Sequence, residues 1–207
     1  MDGDLAPLAD LHAVTSAHDT LLLVDDAHAV GVLGAEGAGA VAAAGLAGKP
    51  DVIVTATLSK SLGGAGGVVA GPAALIRHLV DTGRTFIYDT APPPAVVAGV
   101  HAALRLARTA DDRRALLAAR GELTARRLGA AGFAVSRPAG GVLSVPAPGP
   151  EAALAWAADC RDLGIAVGCF RPPSTPDGSS RLRLTLNAGI TAADFARALD
   201  VIVECAP

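Results

Sequence analysis

The sequence predicts an α/β protein, and three observations carry that assignment. Short continuous apolar runs alternate with helix-compatible stretches over the first half of the chain, as a sheet with crossover helices requires. The first two runs end in residues that carry chemistry: Leu21-Leu22-Leu23-Val24 runs into Asp25-Asp26, and residues 51–56 run into a loop rich in hydroxyls and glycine. Hydrophobic residues make up 51% of the 207 positions and the mean hydropathy is +0.44, so the chain has enough apolar surface to offset its ordering entropy, which excludes disorder as the main state.

Taken in order, the run at 21–24 reads as a strand buried on both faces of a parallel sheet. Residues 51–56 and 67–70 read as the next two strands, and Thr85-Phe86-Ile87-Tyr88 as a fourth. Residues 34–46 and 72–82 suit helices between them. Pro92-Pro93-Pro94 opens a helix over 95–108, proline being at home where the missing donor has no partner. A second helix, 111–129, follows after a short break. Beyond Gly132 the pattern changes: strands at 141–145 and 165–169, a helix at 151–163, and a half-exposed strand at 181–186 where charged and apolar residues alternate. A last helix spans 191–204, with Thr191 as its N-cap and Asp194 at the third helical position. These periods divide the chain into 1–110, part of an α/β sheet domain, and 111–207, a small α+β domain.

Composition narrows the function. The formal charge is −3 and the isoelectric point about 5.9, unlike the basic face of a nucleic-acid binder. Charges or glycines break every apolar run before roughly 18 residues, too short to span a membrane. Asp2 and Asp4 stand where a leader would be basic and then apolar, so a cytoplasmic protein is expected. Cys160, Cys169 and Cys205 fit no metal or redox spacing and read as small buried hydrophobes; no metal site is expected. Aromatic residues are only 3%, so Ala, Val, Leu and Ile must build the core. The lysines are more telling: of 17 basic side chains only Lys49 and Lys60 are lysine, and Lys60 sits inside the glycine-rich loop.

Two motifs carry chemistry. Asp25-Asp26-Ala27-His28 lies at the carboxyl end of a strand, where ligands of open α/β sheets bind; an aspartate there suits a cationic ring nitrogen. Thr57-Leu58-Ser59-Lys60-Ser61-Leu62-Gly63-Gly64 places hydroxyls and open backbone N–H groups where a phosphate can be cradled, and an amine able to form a Schiff base with a carbonyl cofactor. It lacks the order of a P-loop. A flexible turn with solvated acids and lysine is the bland alternative for each alone. Together, one acid for a protonated pyridine, one lysine for an aldehyde and hydroxyls for a phosphate are what a pyridoxal phosphate site needs.

Val24-Asp25-Asp26-Ala27-His28-Ala29-Val30-Gly31-Val32-Leu33-Gly34 and Thr57-Leu58-Ser59-Lys60-Ser61-Leu62-Gly63-Gly64 resemble the corresponding segments of the α-oxoamine synthases, fold-type I pyridoxal phosphate enzymes. Arg171-Pro172-Pro173-Ser174-Thr175-Pro176, with Ser180-Arg181-Leu182-Arg183-Leu184-Thr185-Leu186, is most similar to the branch that condenses alanine with a pimeloyl thioester, on CoA or an acyl carrier protein, in biotin synthesis. The 5-aminolevulinate and glycine C-acetyltransferase branches carry related but different residues there. The resemblance implies a homodimeric acyltransferase. In it Lys60 binds the cofactor aldehyde and later moves the substrate α proton, Asp25 pairs with the pyridine nitrogen, and His28 contacts the phenolic oxygen. Thr57 binds the phosphate, Thr90 reaches the phosphate of a neighbouring subunit, Arg183 holds the substrate carboxylate, and Arg171 and Ser174 complete the substrate side.

The chain also departs from the family. Ala29 replaces a usual glycine, Asp89 precedes Thr90 where a hydroxyl is common, and Asn187-Ala188-Gly189-Ile190 lacks a frequent histidine. Family chains are nearly twice as long, and Met1-Asp2-Gly3-Asp4-Leu5-Ala6-Pro7-Leu8 resembles an internal segment. The resemblance therefore implies an incomplete large-domain sheet with an open edge, and leaves a non-catalytic remnant or half of a split enzyme as the alternative to an active synthase.

Overall fold

The computed structural model describes residues 2–136 and 138–207; Met1, which opens the segment matched to the family's interior, lies outside them. The chain forms two compact units, Leu5–Asp111 and Asp112–Pro207, the second also holding the segment up to Asp4.

In the first unit, α1 (Leu8–Ala17) precedes β1 (Leu22–Asp25), which pairs in parallel with β2 (Val52–Thr57). β3 (Gly67–Ala70) then pairs antiparallel with β2, giving the order β1-β2-β3. One face of this sheet is buried: Leu22, Val24 and Val52 pack with Leu8, Ala40, Val41 and Leu46. The expectation that β1 is buried on both faces is corrected, because Leu23 is 64% exposed while Leu22 and Val24 are buried; α1 and the segment after β1 cover only the side to which Leu22 and Val24 point.

Between β1 and β2, the expected helix at 34–46 is a 3-10 turn at Ala35–Gly37 followed by the single helical turn α2 (Ala40–Ala43). Gly39 divides them. Its φ is +98°, and a Cβ there would lie 2.1 Å from Asp26 Oδ2, so glycine is required both for backbone shape and for space. Asp26 is 3% exposed and accepts from the N–H of Ala40 at 3.1 Å, which satisfies a donor at the start of α2.

The expected fourth strand at 85–88 is instead the short helix α4 (Arg84–Ile87), directly after α3 (Ala73–Thr82). The β-forming run Thr-Phe-Ile-Tyr follows Gly83, whose carbonyl accepts from the N–H groups of both Phe86 and Ile87. That local ladder overrides strand propensity. Phe86, Ile87 and Tyr88 remain exposed. α5 (Pro94–Ala107) opens on its proline as expected.

The second unit begins with α6 (Asp111–Ala130). Its sheet has the order β4-β6-β5, all antiparallel: β4 (Val142–Ala147), β5 (Gly168–Phe170) and β6 (Ser180–Thr185). α7 (Pro150–Asp162) and α8 (Ala192–Glu204) bury Trp156, Cys160 and Ile202 against Leu182, Leu184 and Val145. The Thr191 hydroxyl accepts from the Asp194 N–H at 3.1 Å, the N-cap foreseen for α8. The half-exposed reading of β6 is corrected at Arg181. It is 7% exposed and held by the carboxylates of Asp2 and Asp177, and only such partners make a buried guanidinium tolerable.

Candidate active site

The first group of candidate residues gathers through strand register. Parallel pairing sets Leu22 beside Val52 and Asp25 beside Thr55, so the two chemical loops leave the sheet at the same carboxyl edge, the side on which open α/β sheets bind ligands. Asp25 is exposed, and its Oδ1 accepts from the Ala27 N–H at 3.0 Å, a turn that leads the chain to the exposed His28.

The second loop is tightly folded around Lys60. The Thr57 hydroxyl lies 2.8 Å from that of Ser59 and accepts from the Ser59 N–H at 3.3 Å. The N–H of Gly63 donates to the Lys60 carbonyl at 3.1 Å, and Gly64 N–H to the Leu58 carbonyl at 2.8 Å. Lys60 is exposed at the head of this turn. Ser61 then ties the two loops together: its hydroxyl donates to the carbonyl of Val30. Gly31 makes room for this tie, since a Cβ there would lie 2.8 Å from Ser61 Oγ at a φ of +83°.

The donor set fits a pyridoxal phosphate by its chemistry. A carboxylate, an imidazole, an amine and two clustered hydroxyls stand on adjacent strand-end loops, with Lys60 exposed. Thr90 is also exposed in this unit; its N–H donates to Asp89 Oδ1 at 2.9 Å, so the aspartate that departs from the family is engaged by its neighbour's backbone.

The remaining candidates belong to the second unit. Arg183 projects from β6, with its guanidinium 5.6 Å from the Phe170 ring centroid. It borders a cavity of about 400 Å³ shared with Phe170, Thr185, Asn187 and Phe195. Arg171 and Ser174 are exposed in one turn, in which Ser174 N–H donates to the Arg171 carbonyl at 2.9 Å. The loop after Arg183's strand is held by Arg120, which donates to the carbonyls of Asn187 and Ile190 and stacks 4.9 Å from the Phe195 centroid.

Sequence reasoning passed over Ser61, Arg181 and Arg120. Ser61 stands within the hydroxyl run that signalled the lysine loop, so its presence was visible but its partner was not. Arg120 depends on carbonyls at least 67 positions away, and Arg181 on Asp2, 179 positions away, in addition to the nearby Asp177; no local pattern announces the distant partners. Among the described residues, no helix is long and apolar enough to cross a membrane, and no group of three or more His, Cys, Asp or Glu is placed to hold a metal ion.

Comparison with known proteins follows the same lines. The family model for aminotransferase class I and II matches residues 1–202. The 8-amino-7-oxononanoate synthase of Mycolicibacterium smegmatis is 48% identical over 98% of this chain and 52% of its own length. A serine palmitoyltransferase variant from S. paucimobilis, solved with a bound PLP–myriocin aldimine, superposes with a TM-score of 0.92 at 31% identity, covering 99% of this chain and 52% of that one. An 8-amino-7-oxononanoate synthase from Francisella tularensis superposes with a TM-score of 0.86 at 28% identity over 99% of this chain and 59% of that one. The chain spans about half the length of the curated relatives it matches.

Proposed function

Since this chain belongs to the aminotransferase class I and II family, we propose that it is the lysine-bearing portion of a pyridoxal-phosphate-dependent 8-amino-7-oxononanoate synthase, condensing alanine with a pimeloyl thioester and releasing carbon dioxide. The observation that carries the reading is the parallel register of β1 and β2, which sends the Asp25–His28 and Thr57–Lys60 loops out of one sheet edge. Identities of 45–48% over 98% of this chain to curated synthases of that name support alanine and a pimeloyl group as the substrates.

In this reading Lys60 would hold the cofactor aldehyde, Asp25 the ring nitrogen, His28 the phenolic oxygen and Thr57 the phosphate, with Thr90 serving the site of a second subunit in a homodimer. The bound cofactor supplies an electron sink for the carbanion at the substrate's α carbon. The chain's own residues do the rest. The freed Nζ of Lys60 takes the α proton and later returns one. The planar fork of Arg183 pairs with the amino-acid carboxylate, for which it is better shaped than an ammonium. Arg171 and Ser174 bind on the substrate side. Ser61 keeps the lysine loop against the loop of His28, so that proton transfer occurs at a fixed position.

A second reading, half of a split site, is favoured by the three-stranded sheet with Leu21 58% and Leu23 64% exposed and by the length ratio. One assay separates the two: alanine- and pimeloyl-CoA-dependent release of CoA by the chain alone and after mixing with the remaining half of a relative. Product from the chain alone supports a lysine-bearing portion that is active by itself; product only on mixing supports the split site; product with serine or glycine but not alanine contradicts the substrate assignment.

A further inference from the structure

We propose that Asp2 is a positioning residue for the substrate carboxylate, fixing Arg183 on β6 through Ser144 and Arg181; the inference rests on the synthase reading and on the role of Arg183 in it. Successive residues of a strand point to opposite faces of the sheet. Leu182 and Leu184 enter the core with residues of α7 and α8, so Arg181 and Arg183 share the other face. Register sets the neighbours of Arg183 on that face. Ser144 stands opposite it on β4, and Phe170, whose ring centroid lies 5.6 Å from its guanidinium, stands opposite Arg181 on β5. Asp2 Oδ1 accepts from both sides of this group, from the Ser144 hydroxyl at 2.5 Å and from Arg181 Nη1 at 2.5 Å. One carboxylate oxygen therefore joins the cross-strand partner of Arg183 to the arginine two residues before it.

The segment that carries Asp2 is itself anchored to β4. The Ser136 hydroxyl donates to the Asp2 carbonyl and accepts from the Ser144 N–H at 3.2 Å. The Ala139 N–H donates to the Gly3 carbonyl at 2.9 Å, and a Cβ on Gly3 would lie 1.7 Å from the Val142 carbonyl oxygen. Arg181 is buried and also donates to Asp177 and Ser179. Burial opposes ionisation of Asp2, but the bonds from Ser144 and Arg181 prevail and hold its carboxyl below the usual carboxylate value. Arg181 is thus paired with two carboxylates. Residues two apart on a strand start about 7 Å apart, so an incoming carboxylate is within reach of both arginines. Pairing of Arg181 directs that encounter to Arg183, and the Asp2 bonds keep β4 and β6 in place beneath it.

The test loads the protein with pyridoxal phosphate and titrates it with L-alanine, followed by absorbance. Asp2→Ala should weaken alanine affinity about tenfold and leave pyridoxal phosphate affinity unchanged. Asp2→Asn keeps the acceptor oxygen and should come within about threefold of the unsubstituted protein, with Ser144→Ala between the two. Hydrogen exchange without ligand should quicken over β6 in Asp2→Ala and not in Asp2→Asn. Unchanged alanine affinity in Asp2→Ala, or a parallel loss of cofactor and alanine affinity, overturns the proposal while the synthase reading stands. No response to alanine in the unsubstituted protein overturns the synthase reading and this proposal with it. Ser144→Ala removes a single hydroxyl, so it decides the matter should Asp2→Ala fail to fold: an alanine affinity equal to that of the unsubstituted protein overturns the proposal there too.

Discussion

The Ser61 hydroxyl donates to the backbone carbonyl of Val30, joining loops whose sequence positions are 31 apart. This contact fixes Lys60 relative to the strand end that carries Asp25 and His28. Removing it in Ser61→Ala costs one hydrogen bond, about 1 kcal/mol, or roughly a fivefold loss of cofactor affinity. Gly31→Ala should do worse, because its Cβ meets Ser61 Oγ and its φ is unfavourable for a side chain. Titration with pyridoxal phosphate followed by absorbance measures both; equal affinity in all three proteins would remove Ser61 from the site.

Arg183 is the residue assigned to the substrate carboxylate. Arg183→Lys keeps the charge and loses the fork, so alanine affinity should fall by about tenfold while cofactor binding stays unchanged. The absorbance change that alanine produces in the cofactor-loaded protein provides the readout. A parallel loss of cofactor binding would place Arg183 in a structural role instead.

A network on the first unit makes stability pH-dependent. Ser16 donates to Asp51 Oδ2 at 2.6 Å and His12 Nε2 lies 3.0 Å from Oδ1, holding the Asp51 carboxyl down at about 2, with the Ser16 bond the larger cause. A carboxylate depressed by folding stabilises the native state fully above its unfolded value near 4, and that contribution disappears as pH falls toward 2. Urea unfolding of the protein should weaken over that window, and Asp51→Asn should flatten that part of the profile. The same three residues do not form a hydrolytic triad, because one nitrogen, His12 Nε2, faces both Asp51 and Ser16, whereas a relay needs both ring nitrogens.

The second unit depends on Trp156, which is 1% exposed. Its Nε1–H donates to the Ile202 carbonyl at 2.8 Å, and its ring lies 5.3 Å from that of Phe133. Trp156→Phe leaves that helix-end carbonyl without its donor and shrinks the ring, and should cost about 2 kcal/mol. Denaturant unfolding followed by circular dichroism tests it; a change under about 0.5 kcal/mol would contradict the packing account.

The sequence made the site's chemistry more legible than its framework. Asp25, His28 and Lys60 stand at strand ends because an apolar run followed by acids or hydroxyls is a local signal, and β1, β2 and β3 lie where those runs lie. What depended on distant partners was hidden. The run at 85–88 has strand propensity, yet the Gly83 carbonyl nucleates a helical turn there. The stretch at 34–46 has helical composition, yet Gly39 must adopt a positive φ beside Asp26. α1 left no clear trace because Leu8 is its only buried residue. Arg181 looked like a solvent-facing strand residue because Asp2, which clamps it, is 179 positions away.

Lys60 as the cofactor lysine can be tested by covalent trapping. The protein is incubated with pyridoxal phosphate, reduced with borohydride, digested and mapped by mass spectrometry. Lys49 serves as an internal control, being the chain's other lysine. A phosphopyridoxyl group is expected on Lys60, with little on Lys49, and that label should be lost when free phosphate competes at high concentration. Equal labelling of Lys49 and Lys60, or labelling that survives Thr57→Val and Asp25→Ala undiminished, would contradict it.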